Sequence, residues 1–171
     1  MTRKSALHRA VRDLRSLVDG GMIERFALCG GLALAVWGTP RATRDIDFMV
    51  SLPAGKRGSA LVRDLERLGW RIASHERHDD DPVPELIRAE IAGVTVDLLI
   101  ANRAWEDAVI EDAETLAWQG VDLPSVRAEA LAAMKLRAGG PQDLVDAEKL
   151  EALPSFDAAA FQAWKKKLRI K

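Results

Sequence analysis

Asp45 and Asp47 stand at the head of DIDFMV, an apolar run that otherwise reads as a buried strand. Side chains on a strand alternate between faces, so the two acids share one face while Ile46, Phe48 and Val50 take the other. Their backbones are then roughly 6–7 Å apart. Carboxylates that close repel one another unless something positive lies between them. A hard divalent cation, Mg2+ or Mn2+, meets that need with oxygen ligands. A third acid, Asp97, is the sole charged residue of Val94–Ile100 (VTVDLLI). If that strand lies beside Asp45–Val50, three carboxylates share one site. Such a site suits phosphoryl transfer, with metal held by Asp45, Asp47 and Asp97, and with Asp97 as general base or shared ligand. The plainer alternative is that these acids pair with Arg41, Arg44 or Arg88. Isolated buried acids are costly, and three of them in two apolar strands argue for a site.

Gly30-Gly31 supplies the complement. The pair joins a short strand, Phe26–Leu28, to a helix over roughly Leu32–Val36. Backbone N–H groups are free there, and the missing side chains let a phosphate approach closely. A tight turn would use the same residues, so the weight comes from the Asp-x-Asp that follows fourteen residues later.

The elements that must position these residues follow from periodicity. Leu7, Ala10, Val11, Leu14 and Leu17 mark an amphipathic helix over 5–18. Leu61, Leu65 and Leu68 mark another, closed by Gly69, before a strand at Trp70–Ser74 and a charged loop at His75–Pro84. Glu85–Ile91 and Val94–Ile100 flank Ala92-Gly93 as a hairpin, as do Glu114–Gln119 and Val121–Leu123 around Gly120. Trp105–Ile110 reads as helix. From Ser125, a candidate cap, the pattern is helical throughout: Val126–Ala138, Gln142–Leu153 and Asp157–Arg169. The expected fold is α+β. A mixed sheet flanked by helices forms a core over 1–124, and a short all-helical segment over 125–171 packs on it.

Composition narrows the function. The 171 residues carry a net charge of −1, so no global basic field coats nucleic acid; a small substrate or a locally basic groove fits better. The basic tail at Lys165–Lys171 reads first as a solvated helix end. The single cysteine, Cys29, excludes an intramolecular disulfide and reads as a small buried hydrophobe. With a charged N-terminus and no apolar run of membrane length, a cytoplasmic protein is expected. His75-x-x-His78 with Asp79-Asp80-Asp81 lacks the rest of a ligand set, and PAGKRGS at 53–59 lacks the first glycine of a P-loop. The five tryptophans, Trp105 among them, read as packing residues.

Gly30-Gly31, then Arg41-x-Thr43-Arg44-Asp45-x-Asp47-Phe48, then Val96-Asp97-Leu98-Leu99, closely resembles the nucleotidyltransferase superfamily. Within it, the chain is most similar to the AbiEii-type toxin branch, related to toxins of type IV toxin–antitoxin pairs. The resemblance covers about residues 22–150. It implies a divalent metal and transfer of a nucleoside monophosphate from an NTP, with release of pyrophosphate. It places Arg41, Thr43 and Arg44 near the phosphates. It also implies a lysine on a C-terminal helix, matched by Lys135, followed by an acidic helix, matched by Asp143 and Asp146. Two positions depart from the pattern: Gly31 stands where many members have serine, and Gln142 stands where a lysine is expected. A tRNA 3′ end, a protein hydroxyl or a small molecule each fits as acceptor, and a cognate antitoxin is a candidate partner. A non-catalytic NTP- or partner-binding module and a metal-dependent phosphohydrolase stay open as alternatives.

Overall fold

A computed structural model describes residues 2–77 and 85–170. His78 and Asp79–Asp81 lie outside the described residues. Helix α1 (Arg3–Asp19) opens the chain on a Thr2–Ser5 capping box and buries Leu7, Ala10, Val11, Leu14 and Leu17, the stripe the periodicity predicts. Strand β1 (Arg25–Cys29) turns directly into α2 (Gly30–Val36), and β2 (Ile46–Ser51) follows. Helix α3 (Gly58–Arg67) leads to β3 (Arg71–Arg77) and then to the β4–β5 hairpin (Glu85–Ile91, Val94–Ile100). Helix α4 (Ala104–Glu111) leads to a second hairpin, β6 (Glu114–Trp118) and β7 (Val121–Ser125). Three helices close the chain: α5 (Ala128–Ala138), α6 (Pro141–Glu151) and α7 (Ala158–Lys167).

The seven strands form one mixed sheet in the order β3-β4-β5-β2-β1-β7-β6. Its centre is β2, antiparallel to β1 and parallel to β5. Ile46, Phe48 and Val50, with Val96, Leu98 and Ile100, are buried on one face and join Leu7, Leu14 and Leu65 in the core. The expected mixed sheet with flanking helices is therefore observed. Both hairpins turn where expected, because Ala92-Gly93 and Gln119-Gly120 adopt the paired positive φ angles that two-residue connections require.

Local boundaries differ in three places. Asp45 lies in the bend before β2, so the strand begins at Ile46. Strand β3 continues through His75 to Arg77, because pairing with β4 holds residues whose polarity suggests a loop. Ser125 does not cap α5. It ends β7, paired with Leu28 and Glu114 and fully buried, and the helix begins at Ala128 after Arg127.

The β1–α2 junction shows what the glycine pair does for the chain itself. Gly30 has φ +64°, and a Cβ built on it would lie 2.1 Å from Asp47 Oδ2. A Cβ on Gly31 would lie 2.9 Å from Thr43 Cβ and 3.1 Å from an Arg41 guanidinium nitrogen. The backbone therefore packs directly against the Asp47 carboxylate and the Arg41–Thr43 segment, where a larger residue would force those side chains to shift. Gly38 also has positive φ (+91°) but open space around its missing side chain. Gly30→Ala is expected to cost about 1–3 kcal/mol more than Gly38→Ala, since only the first adds a clash to the backbone strain. Equal urea midpoints for the two variants would show that Asp47 moves aside freely.

Candidate active site

The register of β2 on β5 sets Asp47 directly beside Asp97. Neighbouring residues on paired strands share a face, so both carboxylates project from the side opposite Phe48 and Leu98. Asp45, half-buried in the preceding bend, adds a third negative charge in range. Neither Asp45 nor Asp47 has a cationic partner within ion-pair distance among the described residues. Burial, then Asp97, then Asp45 push the Asp47 carboxyl up to about 6, while Lys135 and a hydrogen bond from the Gly31 backbone pull it down. Cys29, which pairs with Asp47 across β1 and β2, is fully buried. Burial, then Asp47 and Asp97, raise its thiol well above the ordinary range, the setting of a small buried hydrophobe.

Asp97 is held differently. Arg88 on β4 donates from Nε to Oδ1 at 2.9 Å and from a terminal nitrogen to Oδ2 at 2.7 Å, a two-pronged pair. Of the three arginines weighed as partners for the acids, Arg88 alone takes this role. A signal for it was present in the sequence. A two-residue turn at Ala92-Gly93 pairs Ile91 with Val94, and counting back along the hairpin sets Arg88 opposite Asp97.

The C-terminal helices bring cations to the same corner. Lys135 on α5 donates to Asp143 Oδ1 at 2.7 Å and lies 3.3 Å from Asp146 Oδ2, both on α6. Asp146 is fully buried. Its Oδ1 accepts from Gln142 at 2.9 Å, and its Oδ2 lies 3.2 Å from Arg41 Nε, an ion pair not aligned as a hydrogen bond. Gln142, in the position where the resemblance implies lysine, thus serves Asp146. Thr43 packs over Gly31 and accepts from Arg3 through its carbonyl, whereas Arg44 is exposed and has no partner among the described residues. The structure therefore gathers Gly30, Gly31, Asp45, Asp47 and Asp97 at one corner of the sheet. Lys135 sits beside them, with Arg41, Asp143 and Asp146 arranged around it. Among the described residues no group of three or more His, Cys, Asp or Glu side chains is placed to hold a metal ion as it stands. His75, weighed with His78 as a metal site, instead sits 2.8 Å from Glu85 Oε1.

A mixed sheet with adjacent acids on its two central parallel strands and a glycine corner beside them is the architecture of a nucleotidyltransferase. Solved structures bear this out at the level of fold. The antibiotic-resistance factor ANT(2'')-Ia, in complex with adenylyl-2''-tobramycin, aligns with a TM-score of 0.61 and 21% identity, covering 99% of this chain and 98% of that one. The lincomycin-bound lincosamide antibiotic adenylyltransferase LnuA aligns with a TM-score of 0.53 and 16% identity, covering 90% and 98%. The particular family is given by the sequence: residues 12–169 match the nucleotidyl transferase AbiEii toxin family of type IV toxin–antitoxin systems, and the chain belongs to it. No curated protein matches the chain. Among the described residues no helix is long and apolar enough to cross a membrane.

The raised Asp47 carboxyl makes a stability prediction. Between the unfolded value of about 3.9 and the folded value of about 6, the native chain binds more protons than the unfolded one, so stability falls as pH rises through that window. Asp47→Asn removes the charge. It is expected to melt higher than wild type at pH 7, by on the order of 2 kcal/mol, with the gap closing by pH 4. Thermal melts across pH 4–8 check this; a gap independent of pH would mean that Asp47 is not crowded by charge.

Proposed function

We propose that this chain transfers a nucleoside monophosphate from an NTP to a hydroxyl acceptor, releases pyrophosphate, and needs a divalent cation, Mg2+ or Mn2+, to do so. One observation carries the reading: Asp47 lies beside Asp97 with no ion-pair partner of its own among the described residues, next to a glycine corner and a half-buried lysine. The Asp47 carboxyl, pushed up by burial and by the neighbouring carboxylates of Asp97 and Asp45, fits a hard cation well. Asp45, Asp47 and Asp97 would hold it. When bound, it supplies charge neutralisation at the triphosphate and at the attacking oxygen.

The chain's own groups do the rest. Gly30 and Gly31 let the backbone come close to the phosphates because neither carries a side chain, while the Gly31 N–H is turned to the Asp47 carboxylate. Lys135, oriented by Asp143 and Asp146, places its ammonium toward the negative charge that grows on the leaving pyrophosphate. Arg41 and Thr43 brace the glycine corner, and exposed Arg44 extends positive charge toward solvent. Asp97 takes the proton of the acceptor hydroxyl. The acceptor oxygen bonds to the α-phosphorus as the bond from that phosphorus to the bridging oxygen of pyrophosphate breaks. The acceptor is a tRNA 3′ end, a protein hydroxyl or a small molecule. Membership of a toxin family makes a cognate antitoxin the natural partner, and a cytoplasmic setting suits both.

A second reading, a binding module of this fold without turnover, has one observation in its favour: Arg88 engages both oxygens of Asp97. Transfer of label from each NTP, with total tRNA, protein and small-molecule acceptors, separates the two. Asp47→Ala is expected to lower transfer by about a hundredfold or more, the scale of losing a principal electrostatic group. Equal labelling by wild type and variant sinks the catalytic reading. In the resting chain Arg88 is a cation that competes for Asp97. Arg88→Gln is therefore expected to tighten Mn2+ binding by about tenfold in calorimetry, the gain from removing a neighbouring like charge. Unchanged affinity would show that Asp97 takes no part in holding the metal.

A further inference from the structure

Residues 37–45 connect α2 to β2 and carry Arg41, Thr43, Arg44 and Asp45 into the site. Among the described residues, none of residues 40–45 makes a backbone–backbone hydrogen bond. Side chains hold the segment instead. Arg41 reaches the buried Asp146 on α6, and the Thr43 hydroxyl donates to the Asp45 carbonyl at 3.4 Å. Toward the Asp45 end the tether comes from the far end of the chain. Arg3, in the first turn of α1, donates a terminal N–H to the Thr43 carbonyl at 2.6 Å. We propose that Arg3 is a positioning residue for the metal site: it holds Thr43 against the glycine corner and so fixes where Asp45 presents its carboxylate. The proposal rests on reading Asp45 as a metal ligand.

Three features support this role. The first is the line of contact. Thr43 is clasped between Arg3 and the glycine pair, since a Cβ built on Gly31 would lie 2.9 Å from Thr43 Cβ and 3.0 Å from its Oγ1. The Gly31 N–H in turn bonds to Asp47. Arg3, Thr43 and Gly31 therefore form a chain of contacts that ends at both aspartates, at Asp45 along the backbone and at Asp47 through the N–H.

The second is direction. Arg3 stands at helical spacing from buried Ala6, Leu7 and Ala10, so its side chain leans toward the body of the protein. The Thr2–Ser5 capping box fixes the turn that carries it. The third is charge. A cation in the first turn of a helix meets the positive end of the dipole, which disfavours it, and α1 has no acid there to compensate. Helix stability therefore gives no reason for a half-buried arginine at this place, whereas the Thr43 carbonyl does. Arg3 also precedes residues 12–169, the span shared with the family, so the role belongs to this chain's own N-terminal turn.

The test is calorimetric titration of Mn2+ alone into the full chain, with thermal melts of the same samples. Arg3→Met keeps the apolar stem and removes the donors. It is expected to weaken Mn2+ binding by about tenfold, the scale of losing a group that orients a metal ligand. Arg3→Lys restores one charged N–H and is expected to recover most of that loss. Lys4→Met, on the exposed side of the same turn, is expected to bind like wild type. Melting should change little in Arg3→Met, because removing a cation from the helix start offsets part of the lost hydrogen bond. In an Asp45→Asn background, Arg3→Met is expected to cost nothing further, since both changes act on one ligand. Should Arg3→Met unfold, Arg3→Gln, whose shorter side chain falls short of the Thr43 carbonyl, takes its place in every comparison. Unchanged Mn2+ affinity overturns the proposal and leaves the metal site standing. A full further loss on top of Asp45→Asn overturns it too, because Arg3 would then act elsewhere. Equal losses in the Arg3 and Lys4 variants also overturn it, by placing the effect in the helix start. Failure of wild type to bind Mn2+ overturns the metal site and the positioning role together.

Discussion

Pairing of β2 with β5 in one register is the constraint on which the rest depends. It is enforced by apolar side chains, not by the acids. Ile46, Phe48 and Val50 face the core with Val96, Leu98 and Ile100, and a slip of one residue would carry Asp97 into that core while exposing its neighbours. Burial of six large side chains thus holds two like charges side by side, an arrangement the acids would not choose. The cost appears as the raised proton affinity of Asp47 and in the absence, among the described residues, of a side-chain cation within ion-pair distance of its oxygens.

The C-terminal helices answer that crowded charge from the other side. Helix α5 carries Lys135 toward the acids, and α6 fixes it with two carboxylates of its own. Meanwhile Arg88 neutralises Asp97 from β4. The corner is therefore balanced asymmetrically, with Asp97 matched by the sheet and Asp47 left open. Like charges crowded at a cleft are a common feature of functional sites. Strain of this sort is maintained because the surrounding core is stable enough to carry it.

Much of this was legible in the sequence because it depends on local periodicity. Alternation along DIDFMV and VTVDLLI separates acid face from core face without knowledge of the fold, and Ala92-Gly93 marks its own turn. What escaped depends on partners distant in the chain. Ser125 has the chemistry of a helix cap, yet pairing with Leu28, almost a hundred residues earlier, keeps it in a strand. His75–Arg77 look like loop until β4 supplies their hydrogen bonds. Trp105 and Met134 look like packing residues, and only the way α4 and α5 lean on β2 and β5 leaves a space between them. The second need for glycine at position 30, room for the Asp47 carboxylate, is likewise a matter of three-dimensional approach.

Asp146 ties residues from three parts of the chain, Arg41, Lys135 and Gln142, to one carboxylate that water does not reach. Stripping a buried ion of its partner is far costlier than replacing the whole set with apolar groups. Drift at these four positions is therefore channelled: relatives should keep the quartet or exchange it wholesale, and intermediate combinations should be rare. Gln142 serves Asp146 through its amide N–H and so adds no third cation beside Arg41 and Lys135.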